Sequence, residues 1–229
     1  MTQNAWNTDQ LNANGEMLIG NGSNPPSAGT LTGGTNCTIV NGANSSQITY
    51  TGSTTGGWVL ISSQTASSAS SVEFTGLSST YHAYVLVVTA YIPGTDNNRL
   101  LLGFSTDNGS TWDTTSTIYF RGWSILGNGT TSTNDSDITE TANIIGSASV
   151  APGNATGESS SCVAWIFNPS ATDYLRVTSY SAVIDTSAEA GGNTIMSGRE
   201  TASAVNAVRC VNLGSNLSGE FRLYGVVAS

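Results

Sequence analysis

The chain has 229 residues and a formal net charge of −9; 9% of it is charged, 38% is hydrophobic, and its six basic residues are all arginine. It lacks the cationic footprint that displaces counterions from nucleic acid, and it disfavours an anionic membrane surface for the same reason. With 26 glycines and abundant Ser, Thr and Asn, the composition is not that of charge-rich disorder; it fits an all-β protein with many turns and a neutral, hydrogen-bonding surface.

No run approaches the roughly 18 apolar residues of a membrane span, so no membrane insertion is expected. The opening MTQNAWNTDQLNANGE has neither the basic region nor the apolar region of a secretion signal. The absence of lysine fits two readings: dense packing beside identical neighbours, since mobile side chains are removed, or drift of composition. Cys37, Cys162 and Cys210 are an odd set that makes no disulfide framework and matches no metal-ligand spacing. Cys162 and Cys210 lie in alternating apolar runs and read as small buried hydrophobes.

Residues 1–16 are polar, with Trp6 and Leu11 as apolar anchors. The segment reads either as a frayed tail or as a peg that docks into another protein. Residues 17–56 carry Asn-Gly at 21–22 and 41–42, Pro25-Pro26 and Gly33-Gly34, which is turn punctuation between very short strands. Pro, Gly, Asn and β-branched Thr all disfavour helix here. The apolar residues Leu18, Ile19, Leu31, Ile39 and Ile48 are too sparse for one chain to build a core. Three chains around an axis can share them, so a homotrimeric, interchain β shaft is predicted.

From Trp58 the apolar runs lengthen and alternate with period two, the mark of half-buried strands. Strands are predicted at Trp58–Ile61, Val72–Thr75, Tyr81–Tyr91, Arg99–Ser105 and Thr117–Trp123. Tyr81–Tyr91 is apolar on both faces in its middle, which places it centrally in a sheet. Residues 124–137 and 149–161 read as long polar connections with a weak strand, Ile138–Ile145, between them. Cys162–Phe167, Tyr174–Tyr180, Ala204–Leu213 and Phe221–Val227 complete the set, with residues 185–199 as a third, Gly-rich connection. Roughly ten strands at this spacing predict an antiparallel β-sandwich over residues 57–229, of jelly-roll type.

The candidates for chemistry are few. Ser105–Trp112 matches the Asp-box pattern S-x-D-x-G-x-T-W, which sialidases carry repeatedly. One box in a chain too short for a propeller of about 40–45 residues per blade reads as a structural hairpin built on Asp107, Gly109 and Trp112. His82 is the only histidine; within a strand and without a G-x-S-x-G elbow it reads as a core or sheet-face residue, and no zinc site is expected. A glycosidase needs two converging carboxylates. Asp135 and Asp137 are the nearest such pair, in a loop where Asp usually satisfies turn amides. Asp96-Asn97-Asn98 and Asp107-Asn108-Gly109 offer hard oxygen ligands without the spaced carboxylate of a calcium loop. Trp112, Tyr119, Arg121 and Trp123 either pack on the sheet or form an aromatic platform for a glycan ring. No catalytic residue, metal or cofactor is expected, and the chain is not read as an enzyme.

Two stretches carry a resemblance. Gly15-Glu16-Met17-Leu18-Ile19-Gly20-Asn21-Gly22, then Thr30-Leu31-Thr32, then Ile39-Val40-Asn41-Gly42-Ala43 through Ile48-Thr49 resemble a segment common in bacteriophage fibre proteins. The ending Gly219-Glu220-Phe221-Arg222-Leu223-Tyr224-Gly225, with Ser105–Thr111 upstream, is similar to the last domain of many phage fibre and appendage proteins. The resemblance implies a virion surface protein assembled in the host cytoplasm. Residues 1–16 would anchor it to other virion proteins, 17–56 would form the shaft, and 57–229 the head. The head would contact a host surface glycan through loops 94–98, 124–137 and 150–160, with Tyr119, Arg121, Trp123, Asn128, Asn134, Asp135, Asp137 and Asn154 as candidate contacts. A capsid head fibre or decoration protein with no required receptor, and a carbohydrate-binding module, are the alternatives; the anchor-plus-shaft layout weighs against the module.

Overall fold

The computed structural model describes residues 16–21, 24–30, 32, 37–42, 45–50, 57–113, 118–126, 131–140, 143–145, 151–199, 201–212 and 214–227. Among them the protein is all-β, with antiparallel pairing throughout and no helix. The chain divides into two compact units, Met1–Thr54 and Thr55–Ser229.

The first unit holds two separate hairpins. Strand β1 (Glu16–Asn21) pairs with β2 (Asn24–Thr30), and β3 (Cys37–Gly42) with β4 (Ser45–Tyr50). The register sets Leu18 opposite Ala28 and Ile39 opposite Ile48. Pro25 and Pro26 lie in β2, which among the described strands has one hydrogen-bonded neighbour, the position where a missing N–H is tolerated. Val40 and Ile48 are 56% and 61% exposed, and an isolated two-stranded hairpin is marginal in water. Trp6, Leu11 and Leu31 lie outside the described residues.

The second unit carries β5 (Trp58–Ala69), β6 (Ser71–Thr75), β7 (Ala83–Pro93), β8 (Leu100–Ser105), β9 (Ile118–Leu126), β10 (Thr131–Glu140), β11 (Asn143–Ile144), β12 (Ser159–Phe167), β13 (Arg176–Ile184), β14 (Ala190–Arg199), β15 (Ala207–Asn212) and β16 (Leu217–Val226). They form an eight-stranded sheet in the order β10-β9-β14-β13-β12-β7-β16-β5 and a four-stranded sheet in the order β11-β8-β15-β6. Setting aside the hairpins β9–β10 and β13–β14 leaves eight strands. Counted in chain order, these run 1-8-3-6 in the large sheet and 2-7-4-5 in the small one. The two hairpins extend the large sheet beyond β12.

One core joins the sheets. Tyr84, Leu86 and Val88 of β7 and Phe221 and Leu223 of β16 cluster with Leu102 and Phe104 of β8, Val208 and Cys210 of β15 and Phe74 of β6. These positions alternate along each strand, as a face buried against a second sheet requires. The phenol of Tyr84 accepts the Ser78 N–H at 2.7 Å and donates to the Ser78 carbonyl at 3.0 Å, so a buried ring fixes the loop ahead of β7.

Four expectations are corrected. Residues 124–126 and 131–137 are strand rather than loop: β9 runs to Leu126 and β10 begins at Thr131, so Asp135 and Asp137 lie in a strand. Residues 185–199 are largely β14, whose inward positions include the polar Asn193 and Arg199; polar residues facing in erase the period-two signal. The single weak strand at Ile138–Ile145 is instead the end of β10 and the two-residue β11. His82 is exposed and precedes β7 rather than sitting within it.

Candidate functional site

Chain direction sets the ends of β7, β8, β12, β13, β15 and β16 together at one end of the second unit, and their connections interlock there. The Gly94 N–H donates to the Asn216 carbonyl at 2.7 Å, and the Asn97 N–H to the Pro152 carbonyl at 3.1 Å. The Asn154 N–H donates to Asp96 Oδ1 at 2.8 Å, and its side-chain amide to the Gly94 carbonyl at 3.3 Å. Pro152 bridges Asp185, whose carboxylate accepts the N–H groups of Ser187 and Glu189, each at 2.9 Å. Asn216 donates to Ser68 Oγ at 3.0 Å. These mutual bonds tie the loops into one platform at this end of the unit. Asp96, Asn97, Asn154, Thr186 and Asn216 are exposed on it.

The described residues of the platform offer amide, hydroxyl and carboxylate groups. His82 lies at the far end of β7, where its N–H donates to the Val226 carbonyl. Among the described residues no group of three or more His, Cys, Asp or Glu side chains is placed to hold a metal ion.

Asn154 is thus built into the platform together with residues 94–98. Tyr119, Arg121, Trp123, Asn134, Asp135 and Asp137 lie in β9 and β10, the hairpin that extends the sheet. Tyr119, Arg121 and Trp123 of β9 are in register with Gly198, Met196 and Thr194 of β14. Asp135 is opposite Arg121 and Asn134 opposite Gly122, while Ser136 and Asp137 both pair with Phe120 across a bulge. A register shift thus separates Asp135 from Asp137 in the β9–β10 ladder. Leu126 is in register with Gly191, so β9 ends at the platform end of the sheet. Asn128 falls outside the described residues.

The Ser105–Trp112 segment is a hydrogen-bonded turn after β8, and the next strand, β9, lies in the other sheet. Asp107 accepts the Ser105 hydroxyl at 2.7 Å, the Thr111 N–H at 2.8 Å and the Thr111 hydroxyl at 2.6 Å. Gly109 adopts φ +90°, a conformation an L side chain would strain. Arg209 lies over the Trp112 ring at 4.7 Å. Hydrogen bonds from the Thr111 hydroxyl, the Thr111 N–H and the Ser105 hydroxyl hold the Asp107 carboxyl at about 2, below its ordinary 3.8. A carboxyl depressed in the folded state stabilises above its unfolded value, and that contribution disappears as pH falls through the folded value. The difference in unfolding midpoint between the parent chain and Asp107→Asn is therefore expected to be constant above pH 3.8 and to shrink toward pH 2. Thermal unfolding followed across that range checks it.

Burial pushes the Cys162 thiol up to about 12 and raises Cys210 well above its usual value. Both side chains are core members, whereas Cys37 is half-buried in β3. A thiol-specific chromogenic reagent is expected to titrate Cys37 in the native protein, and all three cysteines after denaturation, because the thiolate is the reacting form.

Sequence reasoning overlooked a second surface. The face of the large sheet turned away from the core carries Trp58, Leu60, Trp165, Phe167, Tyr180 and Tyr224. Trp58 meets Trp165 edge-on at 5.3 Å and Tyr224 at 5.7 Å, and Trp165 stacks on Phe167 at 6.2 Å. The available signal was β12, where Val163, Trp165 and Phe167 alternate with the core residues Cys162, Ala164 and Ile166, so both faces are apolar.

Neither a family model, nor a curated protein, nor a solved structure matches this chain.

Proposed function

We propose that the chain is a bacteriophage virion fibre protein. Residues 1–16 dock onto the particle, 17–56 form a slender stalk shared by three chains, and 57–229 form an outward-facing head that contacts a host surface glycan. The head is read as a jelly roll, because its 1-8-3-6 and 2-7-4-5 strand orders are those of eight strands wound as two Greek keys. The observation that carries the stalk reading is the β3–β4 hairpin. Among the described residues, its Ile39–Ile48 register pair and Val40 have no second layer, and Ile48 and Val40 stay more than half exposed. Apolar residues left open on a two-stranded ribbon need partners, and copies of the same ribbon supply them. The resemblance of residues 15–49 and 219–225 to phage fibre segments supports the virion setting.

The glycan reading rests on the platform. Amides and carboxylates fixed by their own hydrogen bonds are preorganised to meet sugar hydroxyls at low entropic cost. Added in excess, the purified full chain is expected to slow phage adsorption to host cells. Unchanged adsorption at saturating chain would favour a capsid fibre or decoration protein over a receptor-binding one. In sedimentation equilibrium the full chain is expected at about 70 kDa, three times the 23.5 kDa of one chain. A single-chain mass would sink the shared stalk.

A further inference from the structure

We infer that the outer face of the eight-stranded sheet is an interface between copies of this chain. The inference rests on the reading of the chain as a multimer and adds the surface through which the heads meet. Trp58, Leu60, Phe167, Tyr180 and Met196 are 48%, 53%, 40%, 54% and 43% exposed. The register carries them across one face. Met196 is opposite Thr178, Thr178 opposite Trp165, Trp165 opposite Val85, Val85 opposite Tyr224 and Tyr224 opposite Leu60. Contiguous apolar patches beyond a few hundred Å² are uncommon on monomers and mark interaction surfaces.

Size, charge and lining select a second copy as the occupant. Eight strands about 4.8 Å apart, each of about nine residues rising about 3.3 Å, make a face of roughly 1,000 Å². A stable protein interface needs about 800 Å² from each partner. The charged side chains described there are neutralised within the chain: Arg222 bonds Glu220 at 2.6 Å and Arg176 bonds Asp173 at 3.1 Å. In a chain of net charge −9, the described side chains of β5, β7, β12, β13, β14 and β16 on this face leave no carboxylate without a cationic partner to confront in an identical copy. A sugar is a poorer fit. The shallow depression of about 350 Å³ in the face is lined by Val87, Val163, Ala182 and Tyr180 with Ser and Thr hydroxyls, and no amide or charged side chain lines it. A glycan site needs such fixed polar partners beside its aromatic rings. Trp58 also opens β5 just past the unit boundary at Thr54–Thr55, so a shared stalk would hold three of these faces at high effective concentration.

The test uses the full chain in three forms, with mass read by sedimentation equilibrium. They are the parent, the face variant Tyr180→Glu/Met196→Glu, and the stalk variant Ile39→Ser/Ile48→Ser. Phe167→Cys and Met196→Cys, each in a Cys37→Ser background, are also treated with a short bismaleimide, with Asn154→Cys on the platform as control. The face variant is expected to associate at least tenfold more weakly with its circular dichroism unchanged, and the two face cysteines, but not Asn154→Cys, to cross-link between chains. A multimer that the face variant leaves intact, with face cysteines uncross-linked, overturns the inference while the stalk reading stands. Weakening by the face variant alone upholds the inference and removes the stalk reading. A monomeric parent at tens of micromolar overturns both. Face cysteines that cross-link only to a different protein in intact particles give the surface another occupant, which also overturns it.

Discussion

Replacing Arg199 with alanine is expected to cost about 2–4 kcal/mol, because it leaves the part-buried Asp113 carboxylate without its partner. The guanidinium donates through Nε to Asp113 Oδ2 at 2.7 Å and through Nη2 to Asp113 Oδ1 at 3.0 Å. The two side chains are 7% and 16% exposed. A further nitrogen, Nη1, donates to the Thr201 carbonyl at 3.3 Å and to the Ser203 hydroxyl. The end of β14 is thereby tied both to the segment after the Ser105–Trp112 turn and to the chain leading into β15. Arg199→Lys is expected to recover only part of the loss, since an ammonium cannot reproduce the two parallel bonds. Asp113→Ala/Arg199→Ala is expected to be less damaging than the sum of the single changes, as two residues in one ion pair are not additive. Denaturant unfolding of the four variants checks the set; near-additivity would show that the pair contributes little.

Phe221→Ala is expected to cost about 3–5 kcal/mol through lost burial and the cavity left behind. Phe221 is fully buried and lies in β16, paired with Val88 of β7 on one side and Gln64 of β5 on the other. It is among the largest side chains in the core shared by both sheets. Against a domain stability of about 5–15 kcal/mol, the loss corresponds to a fall in Tm of roughly 10 °C for a unit of this size. A midpoint shift under about 2 °C would mean that the two sheets do not depend on a common core.

The strands that were legible in the sequence are those whose burial alternates. The run from Tyr81 became β7, with Tyr84, Leu86 and Val88 inward, and lies between β12 and β16 as its two-sided apolarity implied. The Phe221–Val227 run became β16, also inside the sheet. Strands with few apolar residues in sequence read as connections. β10 is Thr131–Glu140, TSTNDSDITE, with β9 as its one neighbour. β14 carries Gly191, Gly192 and Gly198 and turns Asn193 inward. The polar second half of β5, SSQTASSA, was missed for the same reason. Backbone ladders ask little of side-chain type, so no periodicity reports them.

The platform was half legible. Residues 94–98 and 150–160 were read separately as loops; their meeting at Asn154 and Asp96 is a product of strand order, which one sequence does not reveal. The apolar outer face was hidden by its own composition. Val163, Trp165 and Phe167 look like core until the register shows that Cys162, Ala164 and Ile166 already fill it.

The most direct test of the fibre reading is the position of this chain on intact particles. Gold-labelled antibody raised against the full chain, viewed by electron microscopy on particles purified from the lysate, is expected to mark projections standing off the particle surface. Label confined to the soluble lysate, with bare particles, would contradict the account.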